Sequence, residues 1–179
     1  MASAFLVWQS SHAAFSAATD SPTSNWTSGT LSLTDDDASS ALFTAAGLRP
    51  GASGTKCIVV TSSATLASAV KLYGTTYSTT NAVGSYVNLV IDEGDGGSFS
   101  TSGPASCSGF TFASNDFTGT LASFAASRTS FANGLSSWAP GSSTDSKTFR
   151  FAYSVDAATP NSAQGGSAAV GFTWEAQNS

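Results

Sequence analysis

The chain has few charges. Asp, Glu, Lys and Arg make up 9% of its 179 residues, against about 25% in ordinary soluble domains. What charge remains is acidic: 11 Asp and Glu face 6 Lys and Arg, for a formal charge of −5. Nucleic-acid binding needs a basic stripe, and attachment to anionic lipid needs a polybasic segment, so neither partner is expected. One histidine, His12, leaves no room for an H-E-x-x-H zinc motif, and no G-x-S-x-G elbow occurs. No apolar run approaches the roughly 18 residues of a membrane span. The expectation is a protein that is not an enzyme, with no catalytic residue, cofactor or metal assigned.

Carboxylates still offer two alternatives. A glycosidase pair would come from Asp92, Glu93, Asp95, Asp116 and Glu175, but solvated loop acids explain them as well. Asp35-Asp36-Asp37 and the run Asp92-Glu93-Gly94-Asp95 supply oxygens of the kind Ca²⁺ takes. Neither has EF-hand spacing, so an acidic turn and a glycine-rich loop are the preferred readings.

Ser and Thr, roughly a third of the chain, replace charge as the solubilising groups, a bias suited to β-rich extracellular proteins. Short apolar segments alternate with turn residues throughout. Gly29–Thr34 alternates with Leu31 and Leu33 inward. Pro50-Gly51 marks a turn, since proline sets φ and glycine supplies φ > 0. Thr55–Thr61 is the most β-branched segment, as a buried strand requires. Ala41–Ala45, Leu66–Tyr73 (anchored by Leu66, Val70 and Leu72), Tyr86–Ile91, Cys107–Ala113, Lys147–Asp156 and Gly166–Gln177 complete the candidate strands. Which face of Tyr86–Ile91 points inward stays open. Thr118–Arg128 carries the one helical pattern, with Leu121, Phe124 and Ala125 at i, i+3 and i+4, and Asp116 or Thr118 as cap. Roughly eight to ten short strands give an all-β fold, a jelly-roll-like antiparallel β-sandwich with one short helix.

The N-terminus carries Phe5-Leu6-Val7-Trp8, apolar on both strand faces. Such a strand must be covered, either inside its own sheet or by donation to a neighbouring subunit. Ala2-Ser3-Ala4 has the A-x-A form of a signal-peptidase site, so the start is expected to lie near a mature terminus. Two regions follow: residues 1–24 as an arm and connector, and 25–179 as the sandwich. With so few thiols, Cys57 and Cys107 read better as one disulfide than as two buried thiols, which implies an oxidising compartment.

Several of these motifs recur together elsewhere. A Pro-Gly turn, a β-branched strand, a polar turn and Val70-Lys71-Leu72-Tyr73-Gly74 follow an upstream Trp26-Thr27-Ser28-Gly29-Thr30-Leu31-Ser32-Leu33. The pattern resembles the TasA/camelysin-type family of secreted fibre proteins (SipW-processed biofilm matrix proteins). The aromatic stop Phe172-Thr173-Trp174-Glu175-Ala176 also fits. The chain departs from the family in its two cysteines and its few charges. The resemblance implies a secreted or cell-surface structural subunit that joins copies of itself head to tail in a helical filament. Phe5, Leu6, Val7, Trp8 and Phe15 would then be donor-strand residues. The protease assignment attached to the name camelysin finds no zinc site here. The alternative is a monomeric secreted β-sandwich that binds carbohydrate or a surface through Trp26, Trp138 or the acidic loops.

Overall fold

The structure, a computed structural model, describes residues 16–19, 31–35, 49–97 and 106–178. Eight strands occur there: β1 (Ser16–Thr19), β2 (Leu31–Thr34), β3 (Ser53–Ala64), β4 (Ser68–Thr79), β5 (Val87–Asp95), β6 (Thr111–Thr120), β7 (Thr144–Val155) and β8 (Ala168–Asn178). They form two antiparallel sheets, one in the order β1-β8-β4 and one in the order β2-β3-β7-β5-β6. The fold is therefore an all-β sandwich, with one short α-helix among the described residues, α1 (Leu121–Ser127).

Alternation decides the core. From the five-stranded sheet Ile58, Val60, Leu89, Ile91, Phe149 and Phe151 point inward, and Val70, Leu72, Trp174 and Ala176 meet them from the other sheet. The sheets are joined by aromatic pairs in tilted geometry: Phe151 with Phe172 at 4.7 Å and Phe149 with Trp174 at 5.5 Å between ring centroids. The inward face of β5 is now settled as Val87, Leu89 and Ile91, while Asn88 is exposed.

Local chemistry sets the joints. Ala52 N–H donates to the Arg49 carbonyl across Pro50-Gly51, and Gly51 takes φ 80°, the left-handed second position of a type II turn. The helix begins later than the sequence suggests. Thr118–Thr120 finish β6, and the Thr120 side chain, rather than Asp116 or Thr118, caps α1 by accepting from Ser123 N–H at 3.1 Å. α1 drops Phe124 between Phe117 and Phe172. It approaches β4 so closely at Gly74 that a Cβ there would stand 2.9 Å from the Phe124 ring. Thr120→Ala is expected to cost about 1 kcal/mol, the usual value of a helix N-cap. Urea unfolding checks it, and Thr120→Ser should return most of the loss.

Four other expectations are corrected. Ser62–Ala64, where the sequence pattern puts the polar turn after the β-branched strand, extend β3. Leu66 does not anchor β4; it sits in the corner before it and is 51% exposed. Cys107–Phe110 form a turn, with β6 starting at Thr111, and Phe112 is 56% exposed. Asp92–Asp95 are not a loop. They are the second half of β5, and Asp92 and Glu93 are buried. Ala41–Ala45 lie outside the described residues.

Candidate functional site

Three places carry polar chemistry or open edges, and each follows from the sheet register. The first is the outer face of the five-stranded sheet. Cys57 and Val59 alternate away from the core yet are buried, because chain from beyond β5 covers them. The Thr148 hydroxyl donates to the Gly96 carbonyl, and Gly97 lies against Val59 and Thr148. Cys57 and Cys107 form the expected disulfide, with Cα atoms 5.1 Å apart. Beside it Arg150 lies under the Phe110 ring, 4.7 Å from its centroid. Directly across from Arg150 on β5 is Asp92. Arg150 Nε and Nη2 donate to Asp92 Oδ2 at 3.1 and 2.7 Å, and Asn115 Nδ2 donates to Oδ1 at 2.8 Å. That carboxylate is fully used in holding three strands together.

The second place is the seam between β5 and β6. Glu93 alternates inward, opposite Phe149, and accepts from the Ser136 hydroxyl. Ser136 sits at φ 79°, unusual without glycine. It is held there by Lys71 Nζ donating to its carbonyl and Trp138 N–H donating to its hydroxyl. On β6, Asp116 is an extra residue in the ladder: Ile91 pairs with Phe117 and Asp92 with Asn115. Asp116 Oδ1 accepts from Ser114 at 2.9 Å. Burial pushes its carboxyl up from 3.8 to about 6; the Ser114 bond opposes this and neighbouring Glu93 and Asp92 add to it.

The remaining acids are also committed. Asp95 accepts from Lys147 at 2.7 Å, a bond that holds the ammonium above its ordinary range. Glu175 accepts from Tyr73 and Gln177, each at 2.8 Å. Among the described residues no group of three His, Cys, Asp or Glu is placed to hold a metal ion. The five acids considered for a glycosidase pair are thus distributed over four networks, with only Glu93 and Asp116 in the same one. Asp36 and Asp37 lie outside the described residues. Trp138 is buried, and its Nε1 donates to Asp145 Oδ2 at 2.7 Å, so it offers no face for a sugar to stack on. Trp26 and His12 lie outside the described residues.

The third place is the set of strand edges. One edge of the three-stranded sheet is closed. Ser68, Val70, Leu72 and Gly74 N–H groups of β4 donate to the carbonyls of Pro140, Trp138, Leu135 and Arg128. Leu135 returns a bond to Leu72 as a single bridge. The other edge is β1, whose Ser16–Thr19 pair with Gln177–Trp174 of β8. Part of the stretch assigned as arm and connector is thereby a strand of the chain's own sheet. Phe5, Leu6, Val7, Trp8 and Phe15 lie outside the described residues. In the five-stranded sheet β6 is an edge, and among the described residues its ladder bonds go to β5 alone.

No family model matches the chain, and no curated protein matches it at a significant level. No helix among the described residues is long and apolar enough to cross a membrane.

Proposed function

We propose that the chain is a structural subunit of an extracellular filament, in which the segment from about Phe5 to Phe15 of one copy completes the sandwich of the next. The observation that carries this reading is the position of β1. Among the described residues Ser16–Thr19 form the edge strand of a three-stranded sheet, and the apolar run Phe5-Leu6-Val7-Trp8 stands seven residues before that edge. Eleven extended residues reach at most about 36–40 Å, enough to span to an adjacent domain. Four large apolar side chains would each contribute roughly 1.5–3 kcal/mol on burial. A head-to-tail contact of this kind is heterologous and propagates instead of closing.

The strand order supports the finer reading of the fold as jelly-roll-like. With β2 set aside as an extra edge strand, the order β3-β7-β5-β6 is the one expected of a jelly-roll sheet. β1-β8-β4 is the other, with its fourth strand reduced to the bridge at Leu135. The disulfide fits assembly in an oxidising, secreted setting.

The test is truncation. Removing Phe5–Trp8, or changing Leu6 and Trp8 to Asp, is expected to leave a folded monomer that forms no filaments in electron micrographs. A peptide spanning Phe5–Phe15 should bind that monomer in trans. Filaments of normal appearance from the truncated chain would overturn the proposal, as would full-length protein that stays monomeric in sedimentation at high concentration.

A further inference from the structure

The acids of β5 and β6 fall into two kinds. Asp92 has Arg150, and Asp95 has Lys147. Glu93 and Asp116 meet across the β5–β6 seam with no cation on either among the described residues. Glu93 is 7% exposed and takes a hydrogen bond from Ser136. Asp116 is pushed into the seam as the extra residue of the bulge, and its Oδ2 is buried with no hydrogen-bond partner. A carboxylate oxygen out of water with no donor is costly. One proton on that oxygen removes the cost, because it converts Asp116 into a donor with Glu93 as its neighbouring acceptor.

We propose that Asp116 and Glu93 share a single proton, forming an acid–carboxylate hydrogen bond that closes the β5–β6 seam in mildly acidic solution and is lost in neutral solution.

The cations nearby are bonded elsewhere; Lys147 also feels the charge of Glu93, but its ammonium is bonded to Asp95. On β5, Asp92 faces Arg150 and Asp95 faces Lys147. On β6, the neighbours are Ser114, bonded to Asp116, and Asn115, bonded to Asp92. On β4, Lys71 spends its ammonium on the Ser136 carbonyl. α1 contains no charged residue, and Arg128 at its end donates to the Asn133 carbonyl. Burial first, and the neighbouring Glu93 second, make the Asp116 carboxylate costly, so Asp116 keeps its proton toward Glu93. The raised Asp116 carboxyl, about 6, agrees with this arrangement. The sign follows directly. A carboxyl whose folded value lies above its usual 3.8 stabilises the folded state fully below that value. The contribution is lost as pH rises through about 6.

Amide hydrogen exchange of the full chain, corrected for intrinsic rates, tests the proposal between pH 4 and 7.5. In the wild type, protection of β6 amides should fall by up to about tenfold per pH unit across the window from about 4 to about 6. In Asp116→Asn the profile should be flat at the acidic wild-type level, since the amide donates to Glu93 at every pH. Glu93→Gln should flatten it as well, by donating to ionised Asp116. A side-chain carboxyl NMR titration gives a readout independent of folding variants. An Asp116 midpoint near the ordinary 3.8 would overturn the proposal. So would equal slopes in the wild type and Asp116→Asn.

Discussion

Cys57→Ala is expected to lower the stability of the chain by about 4 kcal/mol. The bond closes a span of 50 residues, and in the chain-entropy treatment a loop of that length restricts the unfolded ensemble by about this amount. For a domain of this size the melting temperature should fall by about 8–16 °C. The damage begins in one place. Cys57 is buried on the outer face of the five-stranded sheet, under the turn that contains Cys107. Without the bond that cover is held by the Phe110–Arg150 contact and the Gly96–Thr148 bond. Calorimetry of wild type with and without reductant gives the global figure. A loss below about 1 kcal/mol would mean that the cover holds the sheet without its covalent tie.

Arg150→Ala carries the second large effect, about 3 kcal/mol. Removing one partner of a buried ion pair leaves the other charge uncompensated, at a cost of roughly 3–5 kcal/mol. The lower end applies because the Arg150 side chain is 37% exposed, which admits solvent, whereas that of Asp92 is 8% exposed. Asp92 would keep one donor, Asn115. Adding Asp92→Ala to Arg150→Ala should therefore recover part of the loss. No recovery would mean that the loss came from the Phe110 stacking instead. Both large effects act on the same outer layer, so the Cys57 and Arg150 variants should combine non-additively.

The strands were legible wherever local pattern decided them. Thr55–Thr61 and Lys147–Asp156 announce themselves by β-branching and alternation; the first lies inside β3, and the second lies in β7 but for Asp156, just past its end. The Pro50-Gly51 turn was equally clear. The acidic half of β5 was not. Asp-Glu-Gly-Asp-Gly-Gly reads as loop because its partners are remote: Arg150, Ser136 and Lys147 each come from another part of the chain. Burial of Asp92 and Glu93 is a property of the register, and register is invisible to a window of ten residues. The exposure of Phe112 was hidden for a related reason. Alternation identifies two faces but not which strand is an edge, and on β6 neither face is fully covered. The late start of α1 reflects competition between β pairing and capping at Thr118–Thr120, which pairing with β5 wins. The donor residues Phe5–Trp8 and Phe15 rest on sequence alone.

One feature of the three-stranded sheet governs when the molecule can finish folding. Its central strand is β8, the last in sequence order, which pairs Gln177 with Ser16 and Asn178 with Ser68. During synthesis β1 and β4 both emerge long before the strand that joins them, so this layer cannot assemble step by step behind the ribosome. Pairings between such distant segments make folding slow, in the range of milliseconds to seconds. Until residues 168–178 emerge, Phe149 and Phe151 lack the Trp174 and Phe172 rings that pack on them. A break or a stop before β8 removes the strand that joins β1 to β4.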